Sequence, residues 1–296
     1  MQPGAITEAT GRGLGASHGI DAYAAIMSFE SEVLTLEIHD DVATLLLDHP
    51  ERRNAMGPAF WADLPVAIET IEDAGARVIV LGATGPHFTV GLDLKSMALP
   101  RDESLSEAQR RTEAYREILR LQRSISAVAD CRVPVIAAIH GSCIGGGIDL
   151  ISACDVRLAS ADAVFSVRET KVAITADVGT LQRLPKVLTA GHVAELVYTG
   201  KDIDAERARA IGLVNDVYAD REETLAAAQA MATEIAANSP LAVQGSKAIL
   251  RASEELSVAQ GLDLVALWNS AFLPSEDLTE AMVAFFHKRA PEFRGR

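Results

Sequence analysis

Two glycine turns and three carboxylates are the residues of this 296-residue chain best suited to act together in chemistry. Gly145-Gly146-Gly147 follows the apolar run 133–139 and opens a short apolar helical pattern ending near Ala153. Glycines at that point let backbone approach a ligand, and the start of a helix aims free N–H groups and the positive end of its dipole at whatever sits there. Phe88-Thr89-Val90-Gly91-Leu92-Asp93 follows the buried-strand pattern at 78–81 in the same way. Ligands of open α/β sheets collect beyond the carboxyl ends of strands, so both turns can face one pocket. Two N–H groups from separate loops are what an oxyanion hole requires; tight strand-to-helix packing is the alternative reading of the glycines.

The carboxylates differ in setting. Asp149 has only apolar or glycine neighbours, and a buried carboxylate must be paired, hydrogen-bonded or protonated. Its role is catalytic or that of a satisfied structural Asp. Glu169 closes the strand pattern at 163–167, a catalytic position or an ordinary surface site beside Arg168 and Lys171. Asp177 precedes a helix pattern, and by residue type alone it reads as a helix cap. The seven histidines show no HExxH spacing, and neither a Gly-x-Ser-x-Gly elbow, a phosphate-binding Lys-Ser or Lys-Thr pair nor a GxGxxG fingerprint accompanies the glycines. Oxyanion donors with several carboxylates but no nucleophile suit proton abstraction beside a carbonyl and proton return elsewhere.

The elements that must position these groups are legible in outline. Residues 33–38 and 42–47 predict a hairpin, Pro58 starts a helix through Trp61, Leu64, Ile68 and Ile71, and residues 101–130 have helical spacing. Runs at 133–139, 155–158 and 163–167 read as further strands. Strand, glycine turn, helix and strand recur, which predicts an α/β fold with largely parallel pairing. Beyond Thr224 helical periodicity takes over. The expected organisation is a flexible tail at 1–28, a core at 29–223 and a helical region at 224–296.

Composition narrows the function classes. Asp and Glu number 41 against 27 Lys and Arg, a net charge of −14, which argues against nucleic acid as the partner. Apolar runs break well before the roughly 20 residues of a membrane span. Cys131, Cys143 and Cys154 offer no paired spacing, and the start fits neither a secretory signal nor an Arg-rich transit peptide. The chain ends in Arg294-Gly295-Arg296 rather than a peroxisomal tripeptide. A cytoplasmic location with no metal ligand set is the expectation.

His49-Pro50-Glu51-Arg52-Arg53-Asn54-Ala55-Met56, Phe88-Thr89-Val90-Gly91-Leu92-Asp93-Leu94-Lys95, and Pro134-Val135-Ile136-Ala137-Ala138-Ile139-His140-Gly141 continuing through Gly147 together resemble the three signature segments of the crotonase, or enoyl-CoA hydratase/isomerase, superfamily. The resemblance implies a spiral of ββα units with a C-terminal helical region that drives assembly into a homotrimer or homohexamer. It implies that the Leu92 and Gly146 amides hold a thioester carbonyl and that no cofactor is needed beyond the CoA of the acyl-CoA substrate. Lys95 and the Arg52-Arg53 pair, basic side chains in an otherwise acidic protein, are candidates for the CoA phosphates, with solvated surface charge as the alternative reading; Ala55 is placed with Arg53 and Lys95 at the CoA moiety. Residues 145–155 and 176–186 resemble the Δ3,5-Δ2,4-dienoyl-CoA isomerase branch, where Asp149, Glu169 and Asp177 match its three acidic positions. That match implies conversion of 3,5-dienoyl-CoA to 2,4-dienoyl-CoA in fatty acid β-oxidation. A 2-enoyl-CoA hydratase and a non-catalytic acyl-CoA-binding member are the alternatives. Lys171 departs from the branch pattern; pointing into the pocket it would favour ionised Glu169 and Asp177, and pointing to solvent it would change nothing.

Overall fold

The computed structural model describes residues 29–97 and 104–296; the tail expected at 1–28 lies outside them. β1 (Leu34–His39) and β2 (Val42–Leu47) form the antiparallel hairpin. Its turn residues Asp40 and Asp41 have φ of 48° and 66°, the left-handed geometry that short polar side chains tolerate. α1 (Pro58–Asp73) buries Trp61, Leu64, Ile68 and Ile71 as its spacing requires, and returns the chain to β3 (Val78–Ala83), every residue of which is buried. α2 (Leu94–Met97) and α3 (Glu107–Asp130) lead into β4 (Val135–Ile139).

The next stretch sets up the site. β4 gives way at Gly141 to β5 (Ser142–Ile144), then come α4 (Gly146–Ser152), β6 (Val156–Ser160) and β7 (Val164–Ser166). β4 pairs with β6 in one sheet while β5 pairs with β7 in a second, all parallel. Two successive turns of the chain thus each place one strand in either sheet, which is the ββα spiral. Gly141 is the corner: its φ is 54°, and a Cβ there would fall 2.1 Å from the Pro86 carbonyl oxygen. β5 is the strand that sequence reading takes for part of a glycine loop, because three residues are too few to show a period.

α5 (Thr180–Val187), α6 (Ala190–Thr199), β8 (Ile203–Asp204), α7 (Ala205–Ala210) and β9 (Asp216–Tyr218) complete the spiral. The larger sheet runs β1-β2-β3-β4-β6-β9 and the smaller β5-β7-β8. α8 (Arg221–Ala236), α9 (Pro240–Ser253), α10 (Val258–Phe272) and α11 (Glu276–His287) follow.

The boundary expected at 223/224 falls inside α8, which belongs to the core. Ala228, Ala232 and Ala236, four residues apart, make a stripe packed on Val78, Val80, Ile136 and Leu158 of the sheet. Alanine lets helix and sheet approach closely, and a stripe this thin in hydrophobicity gives little amphipathic signal. Of the four C-terminal helices, α9 to α11 do not share this packing on the sheet. Lys247 on α9, 7% exposed, anchors them by donating to the Val133 carbonyl at 2.6 Å and pairing with Asp155 at 2.8 Å.

Candidate active site

The first turn is held by backbone geometry. Met56 N–H donates to the Gly91 carbonyl at 2.8 Å and Asp93 N–H to the Met56 carbonyl at 3.1 Å, a parallel bridge between Met56 and Leu92. In such a bridge Leu92 lies opposite Met56 with its own N–H turned away. Thr89 bonds to the other flank: its N–H donates to Ser142 O and its carbonyl accepts from Ile144 N–H. Its hydroxyl donates to the Asn54 carbonyl at 2.6 Å and accepts the Gly91 N–H at 3.0 Å. Gly91 N–H is therefore spent, whereas Leu92 N–H has no partner among the described residues.

Asn54 clasps this arrangement. It is 4% exposed with φ 54°, its Oδ1 accepts His49 N–H at 2.8 Å, and its Nδ2 donates to the Thr84 and His87 carbonyls, both at 2.9 Å. Asn54 and Thr89 were within the motifs quoted above but had no assigned role. The bonds that tie the turns together, from Asn54 to Thr84 and His87 and from Thr89 to Asn54, span 30 to 35 residues, so nothing local announces them.

The second turn meets the first. A Cβ on Gly91, at φ 82°, would lie 2.5 Å from the Ile144 carbonyl oxygen and 3.2 Å from Gly146 N, and one on Gly146 would lie 2.8 Å from Met56 Sδ. Gly145 caps α4 with φ 56°, its N–H donating to Ser166 O at 2.9 Å. Gly146 is the first residue of α4, so its N–H is one of the donors a helix start leaves open; among the described residues it too has no partner. The turns that carry the Leu92 and Gly146 amides thus meet, and a carbonyl oxygen is the group that a pair of open N–H donors suits.

The three carboxylates converge beside them. Glu169 begins the 3-10 turn Glu169–Val172; a Cβ on Gly145 would lie 3.5 Å from its Oε1, and its buried Oε2 has no hydrogen-bond partner. Burial, and then Asp177, raise the Glu169 pKa above the usual carboxylate range. Burial likewise raises that of the half-buried Asp177. Asp177 is not a helix cap, since Gly179 occupies that position of α5. The cap is supplied by Asp149, whose Oδ1 accepts Thr180 N–H. Asp149 is 1% exposed; burial first, with Glu169 and Asp177 adding, pushes its pKa up to about 7 against the opposing hydrogen bond from Thr180. Lys171 is exposed, its stem lying over Gly200, and it does not enter the causes of these shifts. Among the described residues no group of His, Cys, Asp and Glu is placed to hold a metal ion.

The Asp149 shift carries a stability prediction. Its pKa in the folded chain, about 7, lies above its ordinary 3.8, so its contribution to stability is whole below the ordinary value and is lost as pH rises toward 7. Asp149→Asn keeps an acceptor for Thr180 N–H without the charge. Thermal unfolding is expected to show the variant gaining on the parent between about pH 4 and pH 7, then levelling off; a gap independent of pH contradicts this.

Of the residues expected at the CoA moiety, Arg53 and Lys95 are exposed and Ala55 is half-buried. All three adjoin the first turn: the Arg53 carbonyl accepts Val90 N–H at 3.2 Å, Ala55 precedes Met56, and Lys95 N–H donates to Asp93 Oδ1 at 3.0 Å. Arg52 is engaged with Asp93 at 3.2 Å. A cavity of about 1280 Å³ opens between α9 and the core, away from Arg53, Ala55 and Lys95, with Gln122, Val178, Arg183 and Lys247 on its wall.

Residues 37–296 match the model of the enoyl-CoA hydratase/isomerase family. The chain belongs to this family, and its fold is crotonase-like. It is 43% identical to a mitochondrial Δ(3,5)-Δ(2,4)-dienoyl-CoA isomerase of Dictyostelium discoideum, over 88% of this chain and 91% of that one. It is 42% identical to a peroxisomal enzyme of the same name from Arabidopsis thaliana, over 88% and 96%. Among solved structures, an enoyl-CoA hydratase of Bacillus anthracis superposes with TM-score 0.81 at 30% identity, covering 90% of this chain and all of that one. These relatives overturn the cytoplasmic expectation, for they are mitochondrial or peroxisomal by name. Unpaired cysteines and an acidic balance fit any reducing compartment and do not tell one from another.

Proposed function

We propose that this chain isomerises a 3,5-dienoyl-CoA to the 2,4-dienoyl-CoA. The observation that carries the reading is Asp177, a carboxyl freed from helix capping and set beside Glu169. The thioester oxygen lies between the Leu92 and Gly146 amides. Glu169 takes a proton from C2, the electron pair of the broken C–H bond enters the conjugated system, and charge spreads onto the oxygen those amides stabilise. Asp177, protonated, delivers a proton to C6 as the double bonds move to C2–C3 and C4–C5. The cycle closes when the proton on Glu169 returns to Asp177 through solvent. The step is neither a net oxidation nor a reduction, so it calls for no redox cofactor.

Raised pKa values favour the acid form that Asp177 needs, and two carboxyls in different environments divide the acid and base roles. The hydratase reading asks Asp149 to handle water, yet that side chain is buried with one oxygen committed to Thr180. The CoA moiety lies along Arg53, Ala55 and Lys95. We further propose a homotrimer, singly or doubled to a hexamer. Supporting this, α10 and α11 expose Leu262 (62%), Leu267 (67%), Phe285 (76%) and Phe286 (73%), a patch of the kind that marks an interaction surface.

The test is to offer the purified protein a 3,5-dienoyl-CoA and a 2-enoyl-CoA separately. Growth of conjugated 2,4-dienoyl absorbance from the first, with slow or no hydration of the second, is expected. Rapid hydration without that absorbance would overturn the reading.

A further inference from the structure

Asp177 sits on a strap that forms neither helix nor strand, and three side chains from separate elements hold its backbone. Gln122 Nε2 on α3 donates to the Asp177 carbonyl at 2.7 Å. Arg183 on α5 turns back so that Nη1 donates to the Val178 carbonyl at 3.3 Å, and its Nη2 donates to Ser126 Oγ at 2.8 Å. Asp149 takes Thr180 N–H. Gln122 and Ser126 are four apart and therefore share one face of α3, so the strap and the arginine dock on the same stripe. Gly179 makes the return possible, with φ 138°, and a Cβ there would fall 1.9 Å from Arg183 Nη1.

The reaction proposed above explains none of these contacts except through Asp177. A carboxyl that delivers a proton at C6 must be held at a set distance from the base at C2, and a displacement of about 1 Å can cost about 10²-fold in rate. A strap without internal hydrogen-bonded structure cannot supply that by itself. We propose that Gln122 and Arg183 are positioning residues that hold Asp177 at the far end of the diene, and that they decide whether the dienolate goes forward by protonation at C6 or back at C2. This rests on the isomerase reading.

The test runs the full-length protein with a 3,5-dienoyl-CoA in D2O, following 2,4-dienoyl product and deuterium at C2 of recovered substrate. Gln122→Met removes the donor while keeping length and volume. Product formation is expected to fall by about 10²-fold, with KM little changed, while C2 deuterium in recovered substrate rises toward the level of Asp177→Asn, because Glu169 still takes and returns its proton. Arg183→Lys keeps the charge but loses the planar fork, and is expected to shift the same ratio in the same direction. Wild-type rate and labelling in both variants would overturn the proposal. So would a parallel loss of product and C2 exchange, which marks general damage to the site. A wild-type protein that makes no 2,4-dienoyl product would instead sink the isomerase reading itself.

Discussion

Replacing Asp177 by Asn is expected to slow formation of 2,4-dienoyl-CoA by about 10²–10⁴-fold, the usual worth of one positioned proton transfer, while acyl-CoA binding is retained. Asn preserves shape and hydrogen-bonding capacity but has no proton to give at C6. Glu169→Gln is expected to fall in the same range by removing the base at C2. The two losses differ in kind: the Asp177 variant still exchanges C2 hydrogen with solvent, and the Glu169 variant does not. Because both groups serve one reaction, the double variant is expected to lose less than the product of the single effects. Turnover unchanged in either single variant, read by the dienoyl absorbance, would remove that residue from its assigned role.

Gly91→Ala is the second large effect. The amides of Leu92 and Gly146 cannot be deleted by substitution, but their spacing can be spoiled. At φ 82° a Cβ is strained, and here it would meet the Ile144 carbonyl oxygen at 2.5 Å and Gly146 N at 3.2 Å. Both neighbours are backbone, so relief must come from parting the turns that carry the two donors. Loss of one oxyanion donor costs about 10²–10³ in kcat, and a loss of that size is expected here with Glu169 and Asp177 intact. If the variant folds and turns over at the parent rate, the two amides do not hold the reacting carbonyl.

The turns of the candidate site are legible where they are written in short segments. Gly145 to Gly147 after an apolar strand, and Gly91-Leu92 after another, disclose two turns at strand ends, and the structure brings them together. Asp149 shows itself by its apolar neighbours. What its neighbours cannot show is that it caps a helix starting 31 residues later, at Thr180, which frees Asp177 from the capping role its residue type suggests. Asn54, Thr89, Gln122 and Arg183 are silent for the same reason: each makes at least one hydrogen bond to an element 30 or more residues away, and such bonds follow no period. The core placement of α8 was missed because an alanine stripe reads as weakly amphipathic although it packs a helix closely on a sheet.

The most direct test of polarisation by two main-chain amides is the infrared carbonyl band of a 3,5-dienoyl-CoA, 13C-labelled at the thioester carbon and bound to the Glu169→Gln protein, where the substrate persists. The band is expected to lie at lower frequency than in water, and to return toward its solution position when Gly91→Ala is added. A band at the solution position in the Glu169→Gln protein would contradict the account.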